Sequence, residues 1–185
     1  MHTLGTGVLE RVATTEHPQP LLGLVEMRRG NPSLLTDAGF VVVGDAIGDP
    51  GNGGTMIRSA EASGADAVVL CGNSVDVFNP KVIRASAGAL FHIPVVTGVE
   101  LDRLGAFGLA LVATSSHHGA SMYDVDLTGR IALVMGNEAH GVDADAPIDA
   151  WVTIPQYGQS ESLNVAMATT VLCFEIARQR RSATS

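Results

Sequence analysis

Leu133-Val-Met-Gly-Asn-Glu-Ala-His-Gly-Val142, and after it Ile154-Pro-Gln-Tyr-Gly-Gln-Ser-Glu-Ser-Leu-Asn-Val-Ala-Met167, decide how this chain is read. An apolar run, Ile131 to Met135, halts on Gly136 and a polar loop follows. A second short strand, Trp151 to Ile154, halts on Pro155, and another polar loop opens an amphipathic helix. Gly136, Gly141 and Gly158 allow close backbone approach. Asn137, Glu138, Gln156, Ser160, Ser162 and Asn164 supply donors and acceptors. If the strands are parallel, both loops lie at carboxyl ends, where open α/β sheets bind ligands. The expectation is a polar-edged pocket for a small ligand.

Working outward, the preceding sequence supplies the rest of such a sheet. Phe40 to Asp45 and Ala67 to Cys71 are continuous apolar runs of strand length, suited to burial on both faces. Between them, Gly48 to Gly54 carries four glycines and reads as a loop, Thr55 to Ser63 as a helix, and Gly64 as its stop. Asn79-Pro80 predicts a helix start, with the helix running to about Ala89. Phe91 to Val96 reads as a third strand, Leu101 to Phe107 as a short helix, and Leu109 to Thr114 as a fourth strand. Strand–helix alternation with non-alternating apolar strands predicts an α/β fold, a mostly parallel sheet flanked by helices.

The closing helix is predicted from about Glu161 to Arg178. Leu163, Met167, Val171 and Phe174 form an apolar stripe on it, which is either core or subunit interface. Glu161 in its first turn and Arg178 and Arg180 in its last suit the helix dipole. Upstream, Thr14 to Pro20 is turn-rich, Leu21 to Met27 reads as a short strand, and Arg28 to Ala38 as a connector. The domain expectation is an N-terminal segment and linker at 1–38 and one folded unit at 39–185.

Composition narrows the function. With 185 residues, 46% of them hydrophobic, one substantial core can form. No apolar run approaches the roughly eighteen residues of a membrane span, and no signal-peptide pattern opens the chain. A cytoplasmic location is the expectation. Cys71 and Cys173, far apart and each in an apolar pattern, read as reduced core residues. His117 and His118 would point to different sides, and no Cys/His metal spacing occurs, so no metal is expected. The net charge of −8 opposes a protein that coats nucleic acid, although basic residues cluster locally at Arg28 and Arg29, at Lys81 and Arg84, and at Arg178, Arg180 and Arg181. The glycine stretch matches neither the dinucleotide nor the phosphate-loop pattern, which disfavours an NAD-type oxidoreductase. Gly158 to Ser162 lacks the second glycine of a nucleophile elbow, and Glu138-Ala-His140 is not a zinc-protease motif.

Three stretches together carry a resemblance. Asn52-Gly-Gly-Thr-Met-Ile-Arg58-Ser-Ala60, Met135-Gly-Asn-Glu-Ala-His-Gly141, and Ile154-Pro followed after six residues by Ser162-Leu-Asn-Val165 are similar, in order and spacing, to the motifs of the SpoU (TrmH-like) branch of the SPOUT RNA methyltransferases. The resemblance spans about Phe40 to Arg178. It implies a trefoil-knotted domain, a homodimer, and methyl transfer from S-adenosylmethionine to a ribose 2'-hydroxyl of structured RNA. Ribosomal RNA is favoured over transfer RNA because Val8 to Met27 resembles the junction to an N-terminal RNA-binding domain. A non-catalytic cofactor- or RNA-binding module is the alternative class.

By the same resemblance, Asn52, Arg58, Glu138, Ser162 and Asn164 are the catalytic candidates. Ala113, Thr114, Gly136, Asn137, Gly141, Ile154, Gln156, Ser162, Leu163 and Asn164 are the cofactor-binding candidates. Gly136 and Ile154 would present backbone to the adenosine part, and Arg58 would act at the ribose hydroxyl beside a cofactor held by the partner subunit. Ser162 and Asn164 also read as helix-start caps. His140 would face either solvent or substrate.

Overall fold

The computed structural model describes residues 2–13, 20–159 and 162–183. Seven strands form one sheet: β1 (Phe40–Asp45), β2 (Ala67–Cys71), β3 (Val95–Thr97), β4 (Ala110–Thr114), β5 (Ala120–Ser121), β6 (Ile131–Met135) and β7 (Ala150–Thr153). Their order is β3-β2-β1-β6-β4-β7-β5, and every pairing is parallel. All strand carboxyl ends therefore lie on one edge. Four α-helices accompany the sheet: α1 (Val8–Val12), α2 (Pro50–Ser63), α3 (Pro80–Ala85) and α4 (Val165–Ala183).

Strand side chains alternate between two apolar layers. Phe40 and Val42 of β1 with Ile131, Leu133 and Met135 of β6 pack under α2, α3 and α4, against Met56, Ile57, Val82, Leu172 and Ile176. Val41, Val43, Ala132 and Val134 point the other way, onto Leu35, Leu104 and Val142. The second face is covered by 3-10 turns at Pro32–Thr36 and Leu101–Phe107 and by the loop before β7 instead of by long helices. Leu101 to Phe107 is thus helical, but of the tighter kind.

Glycine chemistry explains the largest departure from the sequence reading. Gly51, Gly53 and Gly54 are not loop residues: α2 begins at Pro50, with the Asp49 side chain accepting from the Asn52 N–H. Buried Gly54 faces α3, and a Cβ there would stand 2.5 Å from the Ala85 Cβ and 2.6 Å from the Val82 carbonyl oxygen. The glycines let two helices touch. Gly64 ends α2 in the left-handed conformation at φ 85°, as expected of a helix stop.

Other boundaries moved. The helix after Asn79-Pro80 ends at Ala85, followed by a 3-10 turn at Ala89–Phe91, and β3 starts only at Val95. Leu21 to Met27 is not a strand. It has no regular structure, and Leu24 is fully exposed, because it gains no sheet partner before Gly30 bridges to Val96. The closing helix starts at Val165 and runs to Ala183, so its last-turn cations are Arg180 and Arg181, while Arg178 pairs with Glu175 at 2.7 Å. Ser160, Glu161 and 14–19 lie outside the described residues. The face of α4 that enters the core is Ala166, Thr169, Leu172, Cys173, Ile176 and Ala177, and the stripe Leu163, Met167, Val171, Phe174 is exposed.

Cys71 and Cys173 are free and buried. Burial pushes both thiols up to about 12, with the Asp45 carboxylate adding to the effect at Cys71, so both stay protonated and inert at neutral pH.

Candidate active site

The loops at the carboxyl ends of β4, β6 and β7 enclose a cavity of about 600 Å³. It is completed by the segment entering α4. Its size suits a cofactor-sized small molecule, since such sites span roughly 300–1,000 Å³.

The loop after β6 is built around two glycines. Gly136 is buried, and a Cβ on it would lie 2.1 Å from the Gly141 carbonyl carbon. Gly141 has φ 71° and donates its N–H to the Asn137 carbonyl at 2.8 Å, closing the loop on itself. The Asn137 side chain fixes the loop and ties it to the segment after β1. Its amide nitrogen donates to the Ala46 carbonyl at 2.9 Å, and its oxygen accepts from the N–H of Ala139 and of His140.

The three motif segments meet in one hydrogen-bonded chain. Glu138 Oε1 accepts from Asn52 Nδ2 at 3.0 Å, and its two oxygens accept from the N–H groups of Gly48 and Asp49. Asn52 Oδ1 in turn accepts from Asn164 Nδ2 at 3.0 Å. Asn164 Oδ1 caps α4 by accepting from the N–H of Ala166 and Met167. Residues separated by up to 112 positions are thereby held in register. A carboxylate, two amides and a helix start form one rigid unit.

Burial raises the Glu138 carboxyl, but the Asn52 amide and the surrounding backbone N–H groups outweigh it, and the net shift is downward. A depressed carboxylate stabilises the fold above its unfolded value of about 4.3 and loses that contribution as pH falls through the lower folded value. Melting of the wild type and of Glu138→Gln should therefore differ at neutral pH and converge in acid, once the pH has fallen through the lowered folded value. An undiminished difference in acid would show that the carboxylate charge is not what links the loops.

The cavity is bordered by Thr114, Asn137, Glu138, Gly141, Ile154, Gln156, Ser162, Leu163 and Asn164 among the expected residues. Others stand elsewhere. Ala113 is fully buried in the second apolar layer, because strand alternation turns its side chain into the core and only Thr114 reaches the strand's end. Gly136 shapes the cavity from behind, and Asn52 reaches it through Glu138 and Asn164. Arg58 is exposed on α2, outside the cavity, and makes no hydrogen bond or ion pair among the described residues. Asn164 is the observed cap of α4.

The model of the SpoU rRNA methylase family matches residues 39–174. The chain belongs to this family. Among curated relatives, the SpoU-family chain is 39% identical to the 23S rRNA (guanosine(2553)-2'-O)-methyltransferase RlmP of Bacillus subtilis, over 95% of this chain and 71% of that protein. It is 36% identical to a 23S rRNA (uridine(2479)-2'-O)-methyltransferase of Streptomyces viridochromogenes, over 94% of this chain and 61% of that protein. The chain spans about two thirds of the length of these relatives. Among solved structures, the SpoU methyltransferase AviRb of Streptomyces viridochromogenes in complex with the cofactor AdoMet superposes with a TM-score of 0.77 at 33% identity, covering 85% of this chain and 67% of that one.

The SpoU fold also brings into the site residues that sequence reasoning passed over. Ser115, His117, His118 and Trp151 border the cavity. Ser115 Oγ and His118 Nδ1 lie 2.9 Å apart, and the His118 ring packs on Trp151 with centroids 4.5 Å apart. His140 also borders it, beside Asn137. The signal for the two adjacent histidines was their place after β4, since carboxyl-end loops form the site in this SpoU chain as in other parallel sheets.

Proposed function

We propose that this chain transfers a methyl group from S-adenosylmethionine to a ribose 2'-hydroxyl in RNA, with ribosomal RNA as the substrate class. The reading is supported most by the Glu138–Asn52–Asn164 hydrogen-bonded chain, which joins all three motif segments at the rim of one cavity. Relatives named as 23S rRNA enzymes favour ribosomal over transfer RNA.

The residues present fit the cofactor. At Gly136 the chain passes so close to Gly141 and Val142 that no Cβ fits, and the loop so closed borders the cavity through Asn137 to Val142, where its main-chain groups can meet a purine edge. Thr114, Asn137, Gly141, Ile154, Gln156, Ser162, Leu163 and Asn164 would hold it, within the trefoil knot characteristic of the family. Bound there, it supplies an electrophilic methyl on a sulfonium. No general metal chemistry is needed for a displacement of this kind, whose demands are alignment and removal of one proton.

Arg58 is the group we assign to the acceptor. A guanidinium stays protonated in proteins, so it is not the base. It holds a phosphate of the RNA and stabilises negative charge developing on the 2'-oxygen, and the proton leaves to a phosphate oxygen or to water.

Arg58 lies outside its own chain's cavity, which favours a homodimer in which α2 of one protomer serves the cavity of the other. The exposed apolar stripe of α4 suits that contact: Met167 is 63% and Phe174 46% exposed, and α4 packs beside α2 through Ser59 and Thr170 at 2.7 Å. A two-fold symmetric contact is the default for such a pair. Light scattering should give twice the chain mass for the wild type and the single-chain mass for Met167→Asp combined with Phe174→Asp. A wild-type monomer at micromolar concentration contradicts the dimer.

Residues 39–185 form the methyltransferase unit in this proposal, and 1–38 the segment leading into it. With ribosomal RNA as its substrate, the protein acts in the cytoplasm in this proposal. Among the described residues no helix is long and apolar enough to cross a membrane. Calorimetric titration with S-adenosylmethionine and with NAD separates the proposed cofactor from its dinucleotide rival. Binding of NAD alone overturns the proposal.

A further inference from the structure

We infer that α3 and the residues leading into it form a cationic track for the RNA backbone, with Lys81 and Arg84 as phosphate-contacting, substrate-positioning residues. The inference rests on the methyltransferase reading and goes beyond it by assigning a surface outside the cavity.

Several cations of this acidic chain are already engaged. Arg130 donates to the carbonyls of Ala38, Leu35, Thr36 and Phe107, Arg180 donates to those of Gly39 and Gly129, Arg178 pairs with Glu175, Arg28 with Glu26, and Arg103 with Asp102. Lys81, Arg84 and Arg58 are different. All three are exposed, and none makes a side-chain hydrogen bond or ion pair among the described residues.

Lys81 and Arg84, three residues apart, share one face of α3, and α3 packs on the helix that carries Arg58. Gly54 of α2 lies against Val82, Ala85 and the N–H of Ser86, so α3 crosses α2 one turn before Arg58, with Arg84 next to the contact. Lys81 is one turn earlier on α3. Three residues before it, Phe78 carries the Arg29 guanidinium, 5.7 Å from its ring centroid. These contacts connect Arg29, Lys81 and Arg84 to the helix that carries Arg58, the residue assigned to the acceptor nucleotide. Neither Asp76 nor Glu61 pairs with these cations: Asp76 Oδ1 accepts from the Phe78 N–H, and Glu61 lies 3.5 Å from His92.

With a net charge of −8, the body as a whole repels RNA. Attraction must be concentrated where cations are unengaged. Each phosphate contact releases counterions and steepens the salt dependence of binding, by about 0.7–0.9 units of slope in log affinity against log salt. A track beside the acceptor position would set where the strand lies without reading bases.

The test uses the full chain and an unmodified 23S rRNA transcript. RNA affinity is measured across a salt series, with steady-state methyl transfer and S-adenosylmethionine titration, for the wild type, Lys81→Gln combined with Arg84→Gln, and Arg103→Gln. The double variant should show a salt slope shallower by about 1.4–1.8 units and KM for RNA raised about tenfold. Its kcat should stay within twofold and its cofactor affinity should be unchanged. Arg103→Gln, which removes one charge from the 3-10 turn on the opposite face of the sheet, should match the wild type. An unaltered slope and KM in the double variant overturn the track, as does a change in Arg103→Gln of the same size per charge removed, which would reduce the effect to net charge. If the wild type binds the transcript but transfers no methyl group, the methyltransferase reading fails by itself, and the salt slopes still decide whether the track exists.

Discussion

Arg58→Ala is expected to reduce methyl transfer by at least about 10²–10³-fold, the cost of removing one preorganised electrostatic donor from a reacting oxygen. Affinity for S-adenosylmethionine should stay within a few-fold. The separation follows from position: Arg58 is exposed on α2 and does not border the cavity of its own chain. Folding should be unaffected, because no described hydrogen bond or ion pair is lost. Arg58→Lys keeps the charge but not the planar fork, so only partial rescue is expected. Parallel losses of turnover and of cofactor affinity in Arg58→Ala would place the arginine at the cofactor instead and remove its assignment to the acceptor.

Gly136→Ala should damage both stability and cofactor binding. The added Cβ would stand 2.1 Å from the Gly141 carbonyl carbon and 2.3 Å from the Val142 nitrogen. Both are backbone atoms, so no side chain can swing aside and the loop itself must shift. Overpacking of this kind costs about 3 kcal/mol, equivalent to roughly 6–12 °C in Tm for a chain of this size. The Asn137–Gly141 closure would open with it, and the cavity wall would be lost. Gly129→Ala is the matched control, because a Cβ there meets open space. Calorimetric melting and cofactor titration of the two variants check the contrast. Wild-type melting and affinity in Gly136→Ala would show the loop to be far softer than its geometry indicates.

The sequence made some of this legible because the signals were local. β1, β2 and β6 are continuous apolar runs with both faces buried, and their ends are marked by the polar or glycine residues that follow. The start of α2 was also written there, in Asp49 as cap and Pro50 at the first position, but the neighbouring glycines read as loop. Their reason is tertiary: Gly54 makes room for α3, and periodicity has no access to that contact. Periodicity likewise found the stripe on α4 without telling interior from interface, since an apolar face looks the same whether a sheet or a second protomer covers it. Leu21 to Met27 had strand composition, but a strand needs a neighbour, and pairing with β3 begins only at Gly30.

Within the site, the motifs identified which residues matter together but not how. Glu138, Asn52 and Asn164 come from three distant segments, and their mutual hydrogen bonds depend on parallel strands ending at one edge. Ala113 illustrates the converse. Adjacent to Thr114 in sequence, it points into the core because successive strand residues face opposite sides. His117 and His118 were passed over because neither fits a metal spacing or a nucleophile pattern; only the cavity shows that both border it.

The measurement closest to the central claim is nucleoside mass spectrometry of 23S rRNA incubated with the protein and isotopically labelled S-adenosylmethionine. The account predicts one labelled methyl per target nucleotide on the ribose, recovered as a 2'-O-methyl nucleoside and reduced at least about 10²-fold in initial rate with Arg58→Ala. Label on a base, or label retained in full by Arg58→Ala, would contradict it.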